Sequence, residues 1–314
     1  MFGFSKTVSG VDAGAKVLRA VRIKKGDALS LTGYAERPLP EGVLLPSYTR
    51  ENILDMKRFQ DIAALTVGAA GIQRGDISLS IPDQVVKVSI VELKDRAAKR
   101  SDILKFIRWK SKRFLPYDPE KAKIDYHLFG DSAMTVFVKA DVVSDYEEAF
   151  CSLSFKPGFV STPSINLFNL FSQWFGDTKE FTFISALEDS FAVIIVRNGS
   201  VAFYRSTEVG YTDERLIQEI NSSILYYISE NPDAVLKKAF LFAGTGDREF
   251  LETHLSDATG MDIVPLLISD MVTGPSGIDI ESYGPAVAAA LGRIKERGVR
   301  SQERGVEMPL GINR

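Results

Sequence analysis

The 314-residue chain is poor in the residues that build disulfides and zinc sites. It contains one cysteine, Cys151, and two histidines, His127 and His254. It therefore cannot form an intrachain disulfide, and it offers too few ligands for a Cys/His zinc cluster. No apolar run approaches the roughly 18 residues that a membrane-spanning helix needs, and the first residues lack the apolar core of a signal peptide. We expect a cytoplasmic protein without structural zinc.

Three common catalytic motifs are absent as well. The sequence contains no G-x-x-x-x-G-K-[ST], no H-E-x-x-H and no G-x-S-x-G, so a P-loop ATPase, a zinc peptidase of that type and an α/β-hydrolase lose their main support. Hydrophobic residues make up 45% and charged residues 25% of the chain, the usual balance of a globular protein. The length favours two domains, or one domain with a large insertion.

The near-neutral total charge of −3 hides a strongly basic segment. Residues 94–113 carry a net charge of +7, and Ile103, Phe106 and Ile107 fall at helical spacing within them. This pattern predicts an amphipathic helix with a cationic outer face, which is either simply solvated or rests on anionic lipid headgroups. Nucleic acid is a weaker alternative because no nucleic-acid motif accompanies the segment. The basic residues considered to face a membrane are Lys99, Arg100, Lys105, Arg108, Lys112 and Arg113.

Two parts of the sequence share a strand-strand-strand-helix pattern. Strands are predicted at 8–11, 17–23 and 29–37, before a helix within 52–70, and again at 181–186, 191–196 and 200–205, before a helix near 213–228. Asn198-Gly199 predicts a type I′ hairpin turn in the second set. Between the two sets, further strands and helices indicate a compact α/β unit inserted before Pro157. The repetition indicates two related halves.

The first hairpin turn has residues suited to binding phosphate. Asp12 ends a strand and is able to hold Mg²⁺ through water, Gly14 permits close approach of a ligand, and Arg19 is able to project back toward a phosphate oxygen. The alternative is an ordinary hairpin with a turn glycine. Gly244-Thr245-Gly246, between a strand and a helix, is able to seat a nucleotide ring, although it lacks the third glycine of the dinucleotide fingerprint. The candidate nucleotide contacts are Asp12, Gly14, Ala15, Lys16, Arg19, Gly210, Gly244, Thr245 and Gly246, with Asp12 as the candidate metal residue.

Several segments, in their order and spacing, resemble the PilM family of type IV pilus assembly proteins. They are the Gly-x-Asp-x-Gly hairpin, 34–42, 77–82, Phe114-Leu115-Pro116-Tyr117, Phe242 to Gly246 and Pro285 to Gly292. The resemblance implies the α/β actin-like fold shared with FtsA: two RNase H-like halves around a nucleotide cleft, with a small inserted subdomain. It places the first half at 1–178 with the insertion at about 77–160, the second half at 179–292, and a basic, flexible tail at 293–314.

The resemblance also implies a role and a partner. Such proteins are cytoplasmic scaffolds at the inner-membrane platform of a type IV pilus or type II secretion machine, and they bind the short N-terminal tail of the single-span protein PilN. We expect this peptide in a groove shaped by the inserted subdomain and the first half, held by strand edges and apolar pockets.

The candidate nucleotide site departs from the family pattern at three places. Ala15 and Lys16 stand where hydroxylic residues are usual, residues 185–190 lack the second Asp-x-Gly, and Ser161-Thr162-Pro163-Ser164 stands where an acid is frequent. Glu188 or Asp189 replaces the lost acid only if the loop register is different from the one assumed. We therefore expect binding of ATP and Mg²⁺ to be possible but hydrolysis to be weak or absent. The alternatives are an active ATPase or sugar-kinase-like phosphotransferase of the same fold, and an FtsA-like filament former.

Overall fold

The computed structural model describes residues 6–93, 99–209, 215–244 and 246–298. The strands in chain order are β1 (Lys6–Ala13), β2 (Val17–Lys25), β3 (Leu29–Pro38), β4 (Gly75–Ser80), β5 (Val86–Glu92), β6 (Ala122–Phe129), β7 (Ser132–Lys139), β8 (Phe155–Ser161), β9 (Phe181–Ala186), β10 (Phe191–Arg197), β11 (Ser200–Thr207), β12 (Lys238–Ala243), β13 (Asp262–Pro265) and β14 (Val272–Thr273). The α-helices are α1 (Met56–Ala69), α2 (Arg100–Ser111), α3 (Ala140–Cys151), α4 (Pro163–Phe171), α5 (Arg215–Glu230), α6 (Arg248–Thr259) and α7 (Gly284–Gly298).

The two predicted halves correspond to two sheets that share one order of five strands, and the first sheet has β14 as a sixth strand at its edge. The first sheet runs β14-β3-β2-β1-β4-β8 and the second β11-β10-β9-β12-β13. In both, three antiparallel strands are followed by two parallel strands, and α1 or α5 follows the third strand, as the sequence predicts. Asn198 and Gly199 both have positive φ, 53° and 72°, as a type I′ turn requires.

The inserted sheet is smaller than the sequence suggests. Strands β5, β7 and β6 form a separate antiparallel sheet, so the unit with its own sheet spans 86–139 rather than 77–160. Strands β4 and β8, which the predicted insertion includes, pair with each other in parallel within the first sheet. Strand β8 contains Pro157 and Gly158, and its pairing register shifts there. Proline is tolerated at this place because β8 is an edge strand.

Two helices, α7 and α4, pack against each other at the junction of the halves. Helix α7 lies on β1, β4 and β2 and against α4, whereas α4 also contacts β9. The buried side of α7 consists largely of alanines 286 and 288–290. A Cβ atom on Gly10 of β1 would lie 2.1 Å from the carbonyl oxygen of Ala286. The backbones of β1 and α7 therefore approach each other as closely as they do only because residue 10 has no side chain.

The last residues of the expected second half, 179–292, pack with the first half instead, because β14 pairs with β3 and α7 lies on β1, β2 and β4. The helix runs to Gly298, so the expected boundary at 292/293 falls inside a helix, and the residues beyond 298 lie outside the described part. Within the described residues, no helix combines the length and the apolar character needed to cross a lipid bilayer.

Candidate functional site

The expected cleft lies between the two hairpin turns of the halves. The turn after β1 and the turn after β9 face each other, and a cavity of about 30 Å³ separates them. The structure brings Asp12, Gly14, Ala15 and Arg19 of the first half together there with Gly244 of the second half. The enclosed part of this cleft holds about two water molecules.

Asp12 is the buried acid of this cleft. Its side chain ends β1 and is 4% exposed, next to Ser80 in the register of β4. Its Oδ1 atom has no hydrogen-bond partner. Burial raises the pKa of Asp12 to about 7, and the charge of Asp189 raises it further while Arg19 opposes the shift. A carboxyl in this state is half protonated near neutral pH. It is therefore a weak ligand for Mg²⁺ unless a nearby cation offsets the free-energy cost of burying its negative charge.

Arg19 lines the cleft and is paired with two carboxylates. It pairs across the sheet with Asp12 on one side and Glu36 on the other. Its Nε atom donates to Glu36 Oε2 at 3.0 Å, and its Nη2 donates to Glu188 Oε2 at 2.9 Å. The side chain is 12% exposed. The guanidinium expected to meet phosphate thus joins the first half to the second.

The turn of the second half supplies bulk and negative charge. Leu187, Glu188, Asp189 and Ser190 line the cleft, and the N–H of Leu187 donates to the carbonyl of Ser190 to close the turn. Nothing in this turn resembles the glycine-containing turn opposite. Carboxylates at this place repel the phosphates of a nucleotide, and within the described residues no cluster of three or more His, Cys, Asp or Glu side chains has the arrangement of a metal site. The residues present do not fit a bound Mg-triphosphate in this arrangement.

The other candidate contacts lie in different surroundings. Gly244 is buried, and its N–H donates to the carbonyl of Ala186, 2.9 Å away. Lys16 and Gly246 are exposed and do not line the cleft. Gly210 and Thr245 lie outside the described residues.

A second buried acid, Asp83, was missed by the sequence reading. It lies just after β4 in a short 3₁₀ turn and is 2% exposed. Its Oδ1 accepts hydrogen bonds from the Ser164 hydroxyl at 2.5 Å and from the Tyr204 hydroxyl at 3.2 Å, while the backbone N–H of Ser164 donates to Oδ2. Burial raises the pKa of Asp83, and the bonds from Ser164 and Tyr204 counteract that rise. The only sequence signal was an acid directly after a buried strand and Pro82.

These three residues join the parts of the molecule at the floor of a groove. Asp83 belongs to the first half, Ser164 to the N-terminal turn of α4, and Tyr204 to β11 of the second half. The groove has a volume of about 300 Å³, at the lower end for ligand pockets. Its lining comes from the loop after β3, the start of β5 and the end of β11: Tyr48, Asp83, Gln84, Val86, Lys87, Val88 and residues 204–208.

Two strands that are outermost in their sheets, among the residues that the structure describes, border the groove. Strand β5 is the outer strand of the inserted sheet, and β11 is the outer strand of the second sheet. The groove is therefore shaped by the inserted unit and the second half together with Tyr48 of the first half, and not by the inserted unit and the first half alone as expected. The two strands contact each other without being paired in one sheet. Outer strands present free backbone N–H and C=O groups, which an extended peptide is able to pair with.

The loop that carries Tyr48 is held rigidly. Asn52 is fully buried, and its amide accepts a hydrogen bond from the N–H of Ser47 and donates to the carbonyls of Ser47 and Arg50 at 2.7 and 2.8 Å. The N–H of Leu45 donates to the carbonyl of Asn52. Tyr48 is therefore presented at the groove by a preformed turn, with its ring 39% exposed.

The basic helix predicted from the sequence is α2 of the inserted unit. Ile103 and Ile107 are buried against the inserted sheet. Arg108 is engaged by Glu120 at 2.8 Å, and Arg100 lies 3.6 Å from Asp125. Of the six predicted membrane-facing residues only Arg108 is half-buried, and five are exposed: Lys99, Arg100, Lys105, Lys112 and Arg113.

No protein-family model matches this sequence, and no curated protein matches it. Among solved structures, the chain is similar to one in the PilM-PilN type IV pilus biogenesis complex, with a TM-score of 0.76 and 15% identity over 94% of this chain and 99% of that one. It is also similar to the cytoplasmic domain of EpsL, an inner-membrane component of the type II secretion system of Vibrio cholerae, with a TM-score of 0.53, 8% identity and coverage of 90% and 94%. A Bacteroides thetaiotaomicron protein of unknown function with an actin-like ATPase fold matches with a TM-score of 0.55, 9% identity and coverage of 91% and 99%.

These likenesses confirm the fold that the sequence resemblance implied. The chain has the actin-like fold, with a PilM-like architecture over 94% of its length. At identities of 15% and below, they do not transfer a ligand or a partner.

Proposed function

We propose that this protein is a cytoplasmic scaffold of the inner-membrane platform of a type IV pilus or type II secretion machine. It binds the cytoplasmic N-terminal tail of a PilN-like single-span membrane protein, and its nucleotide site is degenerate. The observation that carries the proposal is the groove in which the outer strands β5 and β11 face each other beside Tyr48. The likeness to a PilM chain that was solved with PilN supports the choice of partner.

The groove suits an extended chain better than a compact ligand. Its two strand edges offer main-chain pairing, which supplies affinity for any sequence, while Tyr48 and Val88 offer apolar contacts that select side chains. Lys87 and Arg205 lie on the same lining as Asp83 and Glu208, so charge is mixed rather than of one sign. A peptide with apolar residues at alternate positions would place them all on one side.

The cleft supports the second part of the proposal. The enclosed space between the hairpin turns is small, about 30 Å³, and Arg19 already has two carboxylate partners. In this scaffold, the Arg19–Glu188 ion pair does what a bound nucleotide does in an active relative, because it links the two halves across the cleft.

The test is binding of a labelled peptide from the N-terminal tail of the PilN-like protein in the same genome. We expect binding without nucleotide, little changed by Mg-ATP. Tyr48→Ser should weaken the affinity about tenfold. Tyr34→Ser is the matched control, because both rings are 39% exposed and Tyr34 does not line the groove. Failure of the peptide to bind both with and without ATP contradicts the proposal.

The rival function is an enzyme of the same fold, an ATPase or a sugar-kinase-like phosphotransferase. One observation favours it: Asp12 is buried at the cleft with a free carboxylate oxygen. Titration calorimetry with Mg-ATP separates the two functions. Micromolar binding that Asp12→Ala abolishes would support the enzyme, whereas absence of heat supports the scaffold.

A further inference from the structure

Helix α2 has an exposed face that the groove and the cleft do not use. Its buried face, with Ile103, Ile107 and Ser111, packs against the inserted sheet. Lys105, Trp109 and Lys112 follow one another at intervals of four and three residues on the other side, and all three are exposed. Such spacing aligns side chains along one face of a helix. Together with Arg113 they form what we name the α2 patch: Lys105, Trp109, Lys112 and Arg113.

Trp109 is the centre of the α2 patch. Its side chain is 57% exposed, although an indole is large and mostly apolar. The guanidinium of Arg113 lies 5.6 Å from its ring centroid, and the Phe106 ring lies 5.9 Å away. An exposed indole between cations is the arrangement found where proteins meet a lipid headgroup layer, because the ring is apolar with a polar N–H at its edge.

The positive charges of the α2 patch are largely unopposed. In the described part of the chain, no carboxylate lies within 4 Å of Lys112 or Arg113, and Lys105 has only the exposed Asp102 at 3.6 Å. By contrast, Arg108 is bound to Glu120 and to the carbonyl of Pro119, and Arg100 packs over the Tyr126 ring near Asp125. The structure therefore separates the free cations of this helix from those that stabilise the inserted unit.

We infer that the α2 patch binds the surface of an anionic phospholipid bilayer. Trp109 enters the headgroup layer, and the ammonium and guanidinium groups around it contact lipid phosphates. The favoured occupant is a bilayer rather than an acidic protein, because a large apolar ring lies exposed among cations, and an indole in that setting suits the headgroup layer of anionic lipids. This contact is independent of the peptide groove and needs no partner protein.

Vesicle flotation of the full chain tests the inference. Vesicles of phosphatidylcholine should leave the protein in solution, whereas vesicles that also contain phosphatidylglycerol should carry it upward. Binding should disappear at about 1 M salt, where charges are screened beyond about 3 Å. The charge-reversed variant Lys105→Glu/Lys112→Glu/Arg113→Glu should bind at least about tenfold more weakly. The matched control, Lys24→Glu/Lys156→Glu/Lys237→Glu, reverses three exposed lysines elsewhere and should bind like the unmodified chain.

Fluorescence identifies the contacting residue. The chain has two tryptophans, Trp109 and Trp174, so Trp174→Phe leaves Trp109 as the sole reporter. Its emission should shift to shorter wavelength with anionic vesicles, and Trp109→Phe, which retains Trp174, should show no shift. The inference is overturned if both vesicle types bind equally, if neither binds, or if both charge-reversed variants lose binding alike. Binding to polyglutamate without binding to vesicles would instead assign the α2 patch to an acidic protein. None of these outcomes alters the peptide assay, so the two proposals fail separately.

Discussion

The two halves of the molecule share a strand order but place different chemistry at the cleft. The turn after β1 has Gly14 and the buried Asp12, whereas the turn after β9 has Leu187 and the acids Glu188 and Asp189. Strand order depends on backbone pairing and on the apolar faces of the strands, which tolerate any residues at the turns. A nucleotide site depends on those turn residues themselves. The comparison shows that two halves with the same strand order carry different chemistry at corresponding turns, where an arginine that lines the cleft from the first half pairs with a glutamate of the second.

The helices at the junction differ in the same way. Helix α7 meets Gly10 of the first sheet with alanines. On the other side of the junction, Phe168 of α4 and Phe175 after it pack against Phe181 and Phe183 of β9. The first contact is close and has no room for added atoms. At the second contact the space between the helix and the sheet is larger, and phenylalanine rings fill it.

The largest expected effect concerns Asp12 and pH. Its pKa rises from 3.8 in the unfolded chain to about 7 in the folded protein, so between these values the folded state retains a proton that the unfolded chain has released. The free energy of unfolding therefore falls as the pH rises from about 4 to 7, by on the order of 4 kcal/mol from this group. Asp12→Asn should remove that loss, so its stability relative to the unmodified chain should increase across this range and then level off.

Denaturant unfolding at several pH values measures this difference. Arg19, Asp83 and Asp189 are the charged groups that influence Asp12, and they remain in the variant. The control is Asp27→Asn in an exposed turn. Its free energy of unfolding should depend on pH in the same way as that of the unmodified chain. A pH-independent difference for Asp12→Asn would contradict the prediction, and Mg²⁺ that stabilised the unmodified chain alone would indicate a metal site at Asp12 after all.

Gly10→Ala should destabilise the close contact of β1 with α7 by about 3 kcal/mol. The added Cβ would lie 2.1 Å from the Ala286 carbonyl and 2.7 Å from the Ala290 nitrogen, so the helix must move, as in overpacked cores. Gly68→Ala in α1 has no atom within 4 Å of the new Cβ and should stabilise the protein by up to about 1 kcal/mol. Thermal unfolding of the two variants compares them directly, and equal melting temperatures would show that α7 is free to shift.

The smallest effect is that of the ion pair across the cleft. Because Glu188 is 43% exposed while Arg19 is 12% exposed, solvent screens part of the interaction, and we expect a coupling of about 1 kcal/mol. A double-mutant cycle with Arg19→Met and Glu188→Gln measures it. The cycle with Glu36→Gln gives the coupling within the first half alone. Zero coupling for Glu188 would mean that the ion pair does not hold the halves together.

Much of the fold was predictable because its signals are local. The two meanders, the turn at Asn198-Gly199 and the helix α6 follow from alternation, turn residues and helical spacing over a few residues each. Strand β8 was missed, because Pro157 and Gly158 argue against a strand when its position at the sheet edge is unknown. The predicted insertion, 77–160, was too long because no local signal assigns β4 and β8 to the first sheet rather than to the inserted one.

The candidate site was predictable only in part. Asp12, Gly14 and Arg19 stand close together in sequence, so the hairpin could be singled out. The partner of Arg19 is 169 residues away in Glu188, and Tyr204 lies 121 residues from Asp83. Contacts over such separations leave no periodic or spacing signal.

The sequence by itself determined the paired meanders, the basic amphipathic helix and the small-residue turn, because propensity, periodicity and turn chemistry act between near neighbours. Only the tertiary structure decided that Arg19 bridges the halves, that β5 and β11 border a groove, and which cations of α2 stay free. These features arise where separate elements pack together, and the energy of such packing depends on positions in space that are far apart along the chain.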